Sequence, residues 1–182
     1  MKIPYVDLSY KNKSKKELIK VFKKVLDKGQ FVGGDEIDLF EKKIAKLCGT
    51  NYAVALNSGT DALTLALHLL GVRKGDEVIT PPNSFIASTA VIVHLGAKPV
   101  FVDVLSDQNI DPNKIQSAIT KKTKVIMPVH LSGRMSQMDK IMSIAKKNKI
   151  SVVEDAAQSV GSKYKNKMSG SYGDFGCFSA HP

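Results

Sequence analysis

The first fifty residues place apolar side chains at the three- and four-residue spacing of an amphipathic helix. In "SKKELIKVFKKVLDKG", the apolar residues Leu18, Phe22, Val25 and Leu26 fall on one face, and lysines occupy many of the remaining positions. Ser14 and Glu17 have the spacing of a capping box, which predicts that the helix begins here.

A second amphipathic helix is predicted from "DEIDLFEKKIAKLCG", which follows a glycine-containing loop. The apolar residues of its predicted stripe are Ile37, Phe40, Ile44, Leu47 and Cys48. Gly49 is suited to end the helix because glycine readily adopts the left-handed conformation of a helix C-terminus. Residues 1–50 are therefore predicted to form a helical N-terminal segment.

After residue 50 the pattern changes to short apolar runs that alternate with helical segments. The runs predicted to be strands are "YAVALN", "EVIT", "PVFVDV", "KVIMPV" and "ISVVED". The helices predicted between them run through "TDALTLALHLLG", "FIASTAVIVHLG", a segment begun by Asp111 and Pro112, and "SQMDKIMSIAKKNK". This alternation predicts an α/β fold, with a mostly parallel sheet flanked by helices and right-handed crossovers.

The last part of the chain, "SKYKNKMSGSYGDFGCFSA", mixes lysine, tyrosine, glycine and serine with short apolar stretches. Such a pattern is typical of a hairpin followed by a returning strand rather than of another helix. No further element follows "FSAHP", and we expect the 182 residues to be an incomplete N-terminal part of a larger fold.

Composition indicates a soluble protein. Hydrophobic residues make up 43% of the chain, which is enough for a sizeable core. No apolar run reaches the roughly 18 to 20 residues of a membrane span, and the N-terminus lacks the apolar centre of a secretory signal. Cys48 and Cys177 have no metal-ligand spacing around them, so we expect reduced thiols and no metal site. A cytoplasmic protein without a membrane partner is the resulting prediction.

Lysine gives the chain a net charge of +10. No groove-reading motif accompanies this charge, and basic residues do not alternate with aromatic ones, so nucleic acid is not an expected partner. Lysines that solubilise exposed faces would explain the excess, and the same field would attract a small anionic substrate. Charge by itself does not choose between these two interpretations.

The segment "NSGTDAL" joins a predicted strand to a predicted helix and has the composition of a phosphate site. Gly59 lets the backbone approach a ligand, and the N–H groups and dipole of a helix N-terminus attract an anion. Ser58 and Thr60 could add hydroxyl donors, or could only cap the helix. The segment is neither a GxGxxG fingerprint nor a P-loop. Since no acidic residue ends the next strand to bind a ribose, a nicotinamide dehydrogenase is disfavoured.

The segment "VVEDAAQS" puts carboxylates where a buried strand meets its loop. At the carboxyl end of a parallel strand, a side chain points into the crevice where α/β proteins bind ligands. Asp155 could form a charge-assisted hydrogen bond to a protonated ring nitrogen, and Gln158 could bond an adjacent oxygen. The alternatives are a helix cap or a metal ligand.

Two further residues complete a candidate pocket. Phe85, in "PPNSFIAS", could stack on a flat heterocycle, although a single phenylalanine is more often part of a core. Ser179, in "FSAHP", offers another hydroxyl for a phosphate. A flat ligand with a phosphate, a basic ring nitrogen and a phenolic oxygen would use all these groups. Pyridoxal 5'-phosphate is such a ligand, and its enzymes also need a lysine that binds it covalently.

Together the motifs resemble those of the nucleotide-sugar aminotransferases of the DegT/DnrJ/EryC1/StrS family. The matching segments are "FVGGDEIDLFEKKIAKLCGTNYAVALNSGTDALTLAL", "GDEVITPPNSF", "GAKPVFVDV", "VVEDAAQSVGS" and "GCFSAHP", in family-like order. The resemblance implies the large domain of the aspartate aminotransferase (fold type I) architecture. It also implies that residues 1–182 are the N-terminal part of that cofactor-binding domain, with the C-terminal small domain absent.

Carried over position by position, the resemblance implies a set of cofactor-binding residues. Gly59, Thr60 and Asp61 would bind the phosphate, mainly through backbone N–H groups, and Ser179 would add its hydroxyl. The ring would be bound by the residues that the pocket already suggested, which are Phe85 by stacking, Asp155 at the ring nitrogen and Gln158 at the phenolic oxygen. His130 and His181 lie in loops beside these residues and receive no role.

The catalytic residue itself is not identified among the 182 residues. The resemblance places the lysine that binds the cofactor two residues beyond Pro182, and none of the lysines present occupies that position. Some family members carry histidine there and eliminate water from a ketosugar. A dehydratase of this kind therefore stays an alternative, as does an inert fragment that only binds a partner.

The resemblance favours the aminotransferase. The implied reaction moves an amino group from an amino acid, glutamate by family analogy, to a keto-sugar nucleotide for amino-sugar and surface-polysaccharide biosynthesis. The implied assembly is a homodimer with active sites at the subunit interface.

Overall fold

The structure, a computed structural model, describes residues 12–181. The helices are α1 Asn12–Lys28, α2 Asp35–Cys48, α3 Gly59–Leu69, α4 Ile86–His94, α5 Pro112–Ala118 and α6 Met138–Asn148, with a 3-10 turn at Leu131–Gly133. The strands are β1 Glu77–Thr80, β2 Lys98–Phe101, β3 Thr123–Ile126, β4 Ser151–Asp155, β5 Lys163–Tyr164, β6 Lys167–Met168 and β7 Phe175–Cys177.

Five strands form one sheet in the order β2-β1-β3-β4-β7, and every neighbouring pair in it is parallel. The predicted α/β fold with a parallel sheet is thus confirmed. Because the strands are parallel, their carboxyl ends meet at one edge of the sheet, which is where α/β proteins bind ligands.

Side chains alternate between the two faces of the sheet, as the two-residue period of a strand requires. Val78 and Val125 belong to one apolar cluster, and Ile79 and Ile126 belong to the other. Helices α3 and α4 pack against the first cluster, and α5 and α6 against the second. The chain moves along the sheet in one direction from β1 to β2 and in the opposite direction from β2 to β3. Because both connections are right-handed, α4 covers one face of the sheet and α5 covers the other.

Helix ends follow the signals in the sequence. Asp111 is the N-cap of α5, and one of its carboxylate oxygens accepts a hydrogen bond from the N–H of Asn113 at 2.9 Å. Pro112 occupies the first turn, where no backbone donor is needed. Gly49 ends α2 in the left-handed conformation, with φ of 71°.

Two details of the N-terminal prediction are corrected, and one part of it is not tested. The capping box was placed at Ser14, but α1 already begins at Asn12, so Ser14 lies inside its first turn. In α2 the buried residues are Ala45 and Cys48, while Phe40 and Leu47 of the predicted stripe are exposed. The part of the N-terminal segment before Asn12 lies outside the described residues.

The segment "YAVALN" is not a strand, although its composition predicts one. Tyr52 and Val54 are 86% and 74% exposed, and among residues 12–181 no strand pairs with this segment. One of its backbone groups is bound by a side chain instead, because the N–H of Ala55 donates to Oε1 of Glu41 at 2.7 Å. An apolar run becomes a strand only when a neighbour supplies the ladder of hydrogen bonds.

The predicted hairpin and returning strand are both present. Strands β5 and β6 pair antiparallel, and Lys165 and Asn166 between them both have positive φ, as a two-residue hairpin turn requires. Strand β7 then joins the edge of the main sheet beside β4. A Cβ on Gly176 would overlap the backbone of Gly170, so glycine lets the preceding loop lie against β7.

Both cysteines are buried free thiols, as predicted. Within residues 12–181, no helix combines the length and the apolar character needed to cross a membrane.

Candidate functional site

The residues predicted to bind a cofactor come from four places in the chain that meet at the carboxyl edge of the sheet. Phe85 follows β1, Asp155 ends β4, and Ser179 follows β7. Gly59 opens α3, which packs against β7 and β4. The parallel sheet therefore gathers residues that are far apart in sequence.

The N-terminus of α3 is capped by its own serine. The N–H of Asp61 donates to Oγ of Ser58 at 3.1 Å, so the capping interpretation is the correct one for Ser58. The N–H of Asp61, predicted to bind phosphate, thus already has an acceptor, and its carboxylate accepts from the Asn57 amide at 3.0 Å. The first N–H groups of a helix have no acceptor inside the helix, which leaves those of Gly59 and Thr60 to bind a ligand.

Gly59 lies directly against the segment after β7. A Cβ at Gly59 would come within 2.9 Å of the Ser179 Cβ and 3.2 Å of the Phe178 carbonyl oxygen. Only glycine allows this approach, which brings the helix N-terminus and the Ser179 hydroxyl together. Ser179 Oγ accepts a hydrogen bond from the N–H of His181 at 3.1 Å, so its own proton is left to donate.

Asp155 is an almost fully buried acid, with 5% of its surface exposed. One carboxylate oxygen, Oδ2, accepts a hydrogen bond from Oγ of Ser88 at 2.7 Å, and Oδ1 accepts from the N–H of Ala157 at 3.2 Å. Burial raises the pKa of the Asp155 carboxyl, and the two hydrogen bonds oppose that rise. Asp155 begins a turn and caps no helix, so the predicted cap alternative is wrong.

Sequence reasoning missed Ser88. The residue lies in the first turn of α4, where the buried positions are Ser88, Val91 and Ile92. The sequence does contain a signal, because Ser88 lies three and four residues before the apolar Val91 and Ile92 and therefore on the same helix face. A serine on a buried face needs a hydrogen-bond partner, which suggests a polar contact inside the protein.

Phe85 is the residue immediately before α4, and 72% of its surface is exposed. The core interpretation of this phenylalanine is therefore wrong. Its carbonyl oxygen accepts from the N–H of Ser88 at 3.2 Å, which connects the turn carrying the exposed ring to the serine that contacts Asp155.

Gln158 has one end of its amide already bound. Oε1 accepts from the N–H of Ser132 at 2.7 Å, so Nε2 is the end left to donate to a ligand oxygen. Ser132 has φ of 53°, an uncommon conformation for a non-glycine residue, and the bond from Gln158 helps to hold it.

A buried pair, also missed by sequence reasoning, lies next to the site. The Nε2 atom of His130 is 2.9 Å from Oε2 of Glu154, and both side chains are fully buried. Because His130 Nδ1 accepts from the N–H of Ser136 at 3.3 Å, the ring proton is on Nε2, which donates to the carboxylate. His130 is therefore a structural residue of the core.

Glu154 binds three further backbone donors. They are the N–H groups of Gly170 at 2.9 Å, Tyr172 at 2.6 Å and Gly173 at 2.8 Å. The carboxylate thereby attaches the loop that precedes β7 to β4, and β7 leads directly to Ser179. Glu154 and Asp155 are adjacent in the strand, so they point to opposite faces of the sheet.

An α/β sheet with a helix N-terminus, an exposed ring and a buried acid at its carboxyl edge defines a class of proteins that bind flat, phosphorylated ligands. The chain belongs to the DegT/DnrJ/EryC1/StrS aminotransferase family, which it matches over residues 12–182. The family predicted from the motifs is confirmed.

Similar proteins come from several bacteria. The chain is 44% identical to dTDP-3-amino-3,6-dideoxy-alpha-D-galactopyranose transaminase of Aneurinibacillus thermoaerophilus, with 97% of this chain and 49% of that protein covered. The crystal structure of a DegT DnrJ EryC1 StrS aminotransferase from Brucella abortus has a TM-score of 0.95 at 33% identity, and covers 100% of this chain and 51% of its own.

A third similar protein carries a cofactor. NtdA from Bacillus subtilis, whose crystal structure has the cofactor PMP bound, has a TM-score of 0.84 at 39% identity and covers 88% of this chain and 38% of its own. The fold-type prediction is confirmed by these neighbours, and the predicted cofactor is confirmed at the level of the family. The chain spans about half the length of the curated relatives it matches.

Proposed function

We propose that this chain contributes the pyridoxal phosphate-binding edge of an aminotransferase that converts a keto-sugar nucleotide into an amino-sugar nucleotide. On this proposal, residues 1–182 are the N-terminal part of the cofactor-binding domain. The similarity to a dTDP-sugar transaminase supports the substrate class.

The observation that carries the proposal is the buried carboxylate of Asp155 at the carboxyl end of β4. Burial with two hydrogen-bond donors disfavours the ionised form of Asp155, and a cation beside the carboxylate would offset that cost. A protonated ring nitrogen is such a cation, and its charge would favour the ionised form of Asp155.

The other residues fit the remaining parts of the same cofactor. Because Gly59 packs directly against Ser179, the N-terminus of α3 and the Ser179 hydroxyl lie close together, and both are suited to a phosphate. The Nε2 group of Gln158 would donate to the phenolic oxygen. Phe85 exposes a ring on which a pyridine could stack.

Bound pyridoxal phosphate supplies an electron sink for charge at the amine-bearing carbon. The task of Asp155 is to keep the ring nitrogen protonated, since an ionised carboxylate accepts and stabilises that proton. The helix N-terminus and Ser179 fix the position of the phosphate. Gln158 would limit the ring's rotation through its free Nε2 end, because its Oε1 end is bound to Ser132.

The amino donor, the assembly and the location belong to the same proposal. We propose glutamate as the donor, a homodimer as the working form and the cytoplasm as the location. The apolar faces left exposed on α1 and at Tyr52 and Val54 support association with another subunit.

The test uses the natural gene product. Pyridoxal phosphate is added, the visible absorbance is recorded, and borohydride is used to fix the cofactor before peptide mass analysis. We expect a reduced adduct on a lysine two residues after Pro182, and amino transfer from glutamate to a keto-sugar nucleotide. If the cofactor is bound, histidine occupies that position, and water is lost instead, the dehydratase is correct. A protein that binds no cofactor contradicts the proposal altogether.

A further inference from the structure

We propose that Ser88 is a positioning residue that orients the Asp155 carboxylate toward the cofactor ring nitrogen and favours its ionised form. This inference rests on the proposed function, because it concerns how the same site holds its cofactor.

The contact between the two side chains is short and sheltered from water. Ser88 Oγ donates to Asp155 Oδ2 at 2.7 Å, and the two residues are 1% and 5% exposed. The N–H of Ala157 donates to the other oxygen, Oδ1. With one donor on each oxygen, the plane of the carboxylate is fixed. A carboxylate has about four acceptor positions, so the remaining ones stay available for a ligand.

Ser88 also connects Asp155 to the predicted stacking ring. Helix α4 follows β1, whereas Asp155 ends β4, and β3 lies between those strands in the sheet. The Ser88 hydroxyl reaches across to Asp155 while its N–H donates to the carbonyl of Phe85. One serine therefore sets the position of the acid relative to the turn that carries the ring.

Ser88 lies in the first turn of α4, so the residue four positions earlier, Ser84, precedes the helix, and the acceptor that a serine in the middle of a helix uses is not a helical carbonyl here. The hydroxyl donates to Asp155, the buried acid of the site. A hydrogen bond donated to a carboxylate favours the ionised form, so it opposes the effect of burial on the pKa of Asp155.

The experiment measures binding of pyridoxamine phosphate to the cofactor-free natural gene product and its variants. A second ligand is the analogue in which CH replaces the ring nitrogen, so that Asp155 has nothing to bind. Ser88→Ala should weaken binding of pyridoxamine phosphate about tenfold, the effect of one hydrogen bond to a charged group, and leave binding of the analogue unchanged. Ser88→Thr, which keeps the hydroxyl, should restore the natural affinity.

A pH series adds a readout that a packing defect would not change. Affinity for pyridoxamine phosphate falls at low pH as Asp155 becomes protonated, and this fall should move to higher pH in Ser88→Ala because the pKa of Asp155 rises. The matched control is Ser136→Ala. Ser136 is also buried, but its hydroxyl donates to the Val129 carbonyl, so both affinities should stay as in the natural protein.

Equal loss of affinity for the two ligands in Ser88→Ala, or no loss at all, would overturn the inference. If Ser88→Ala does not fold, Ser88→Cys keeps most of the volume with a weak donor and gives the same comparison. Natural protein that binds neither ligand would instead refute the proposed function, so the two failures are distinguishable.

Discussion

An acid inside an apolar sheet is unfavourable, and at the scale of single residues Asp155 shows how the chain manages this. Two hydrogen bonds offset part of the desolvation, but burial still raises the pKa of the carboxyl. An acid whose folded pKa is raised stabilises the fold when it is protonated. That contribution is lost as pH rises from the unfolded pKa through the folded one.

Replacing Asp155 with asparagine removes the negative charge that we propose pairs with the ring nitrogen. The Asp155→Asn variant of the natural gene product should have a turnover that is lower by roughly a hundredfold or more. In the cofactor-free state, the free energy of unfolding of this variant should increase relative to that of the natural protein as pH rises from about 4, the ordinary pKa of aspartate, towards 8. Thermal unfolding across this pH range measures the second effect.

The control for this comparison is Asp27→Asn, a change of the same kind at an exposed position of α1. This variant measures how the same substitution affects thermal unfolding when the side chain is exposed. Near-normal turnover in folded Asp155→Asn would show that Asp155 does not bind the ring nitrogen.

Gly59 is the second residue whose identity follows from the site. A methyl group there would overlap Ser179, so Gly59→Ala should destabilise the protein by about 1–3 kcal/mol and weaken phosphate binding. Urea denaturation and titration with pyridoxamine phosphate measure these effects.

A double variant provides the internal control. Ser179→Gly removes the Cβ that Gly59→Ala would meet at 2.9 Å, so Gly59→Ala/Ser179→Gly should recover stability relative to Gly59→Ala alone. If the losses of stability caused by the two substitutions are simply additive, the close contact between Gly59 and Ser179 is not the reason that glycine is required at position 59.

At the scale of elements, Glu154 holds the last strand of the sheet in place. Its carboxylate accepts from His130 and from three backbone N–H groups in the loop before β7. Every acceptor position is therefore used, which is what a fully buried carboxylate requires. Glu154 therefore helps to hold the loop, β7 and Ser179 beyond it in place.

Glu154→Gln keeps the size of the side chain but places an amide N–H₂ against groups that are themselves donors. We expect a loss of about 2–4 kcal/mol in the free energy of unfolding, because buried donors lose their acceptor. Urea denaturation of the natural gene product and the variant gives the value.

Glu36→Gln serves as the comparison, since Glu36 makes ion pairs with Lys24 and Lys28 at the surface. This variant should change stability very little. A similarly small effect of Glu154→Gln would mean that the loop is held by other contacts.

At the scale of the whole molecule, the net charge can be counted directly from the sequence. On the proposed function, the net charge of +10 on these 182 residues should attract the diphosphate of a nucleotide sugar over long range. We expect the association rate constant to fall several-fold between about 50 and 500 mM salt, because salt screens such attraction.

Stopped-flow measurements with a nucleotide sugar and with glutamate separate this effect from general salt effects. Glutamate carries a much smaller net charge, so its association should depend on salt more weakly. An equally flat response for both ligands would show that the lysines only solubilise the surface.

Most helices and strands could be predicted from the sequence, because the spacing of apolar residues identifies each element and capping or turn residues identify its ends. Helix α5 begins where Asp111 and Pro112 predict it, and β1 occupies the apolar run "EVIT". The segment "YAVALN" has an equally apolar composition but lacks a strand partner within residues 12–181, so composition was not enough there. Pairing is a property of two segments and cannot be read from one.

The α/β class, the family and the residues proposed to bind the cofactor could be predicted from the amino-acid sequence, because period, turn residues and motif order are local properties of the chain. Only the tertiary structure brought Gly59 against Ser179, placed Ser88 on Asp155 and assigned His130 to the core with Glu154. These contacts join residues 24 to 120 positions apart, counting from His130 to Glu154 and from Gly59 to Ser179. Their partners are chosen by the order of strands in the sheet, which no local pattern specifies.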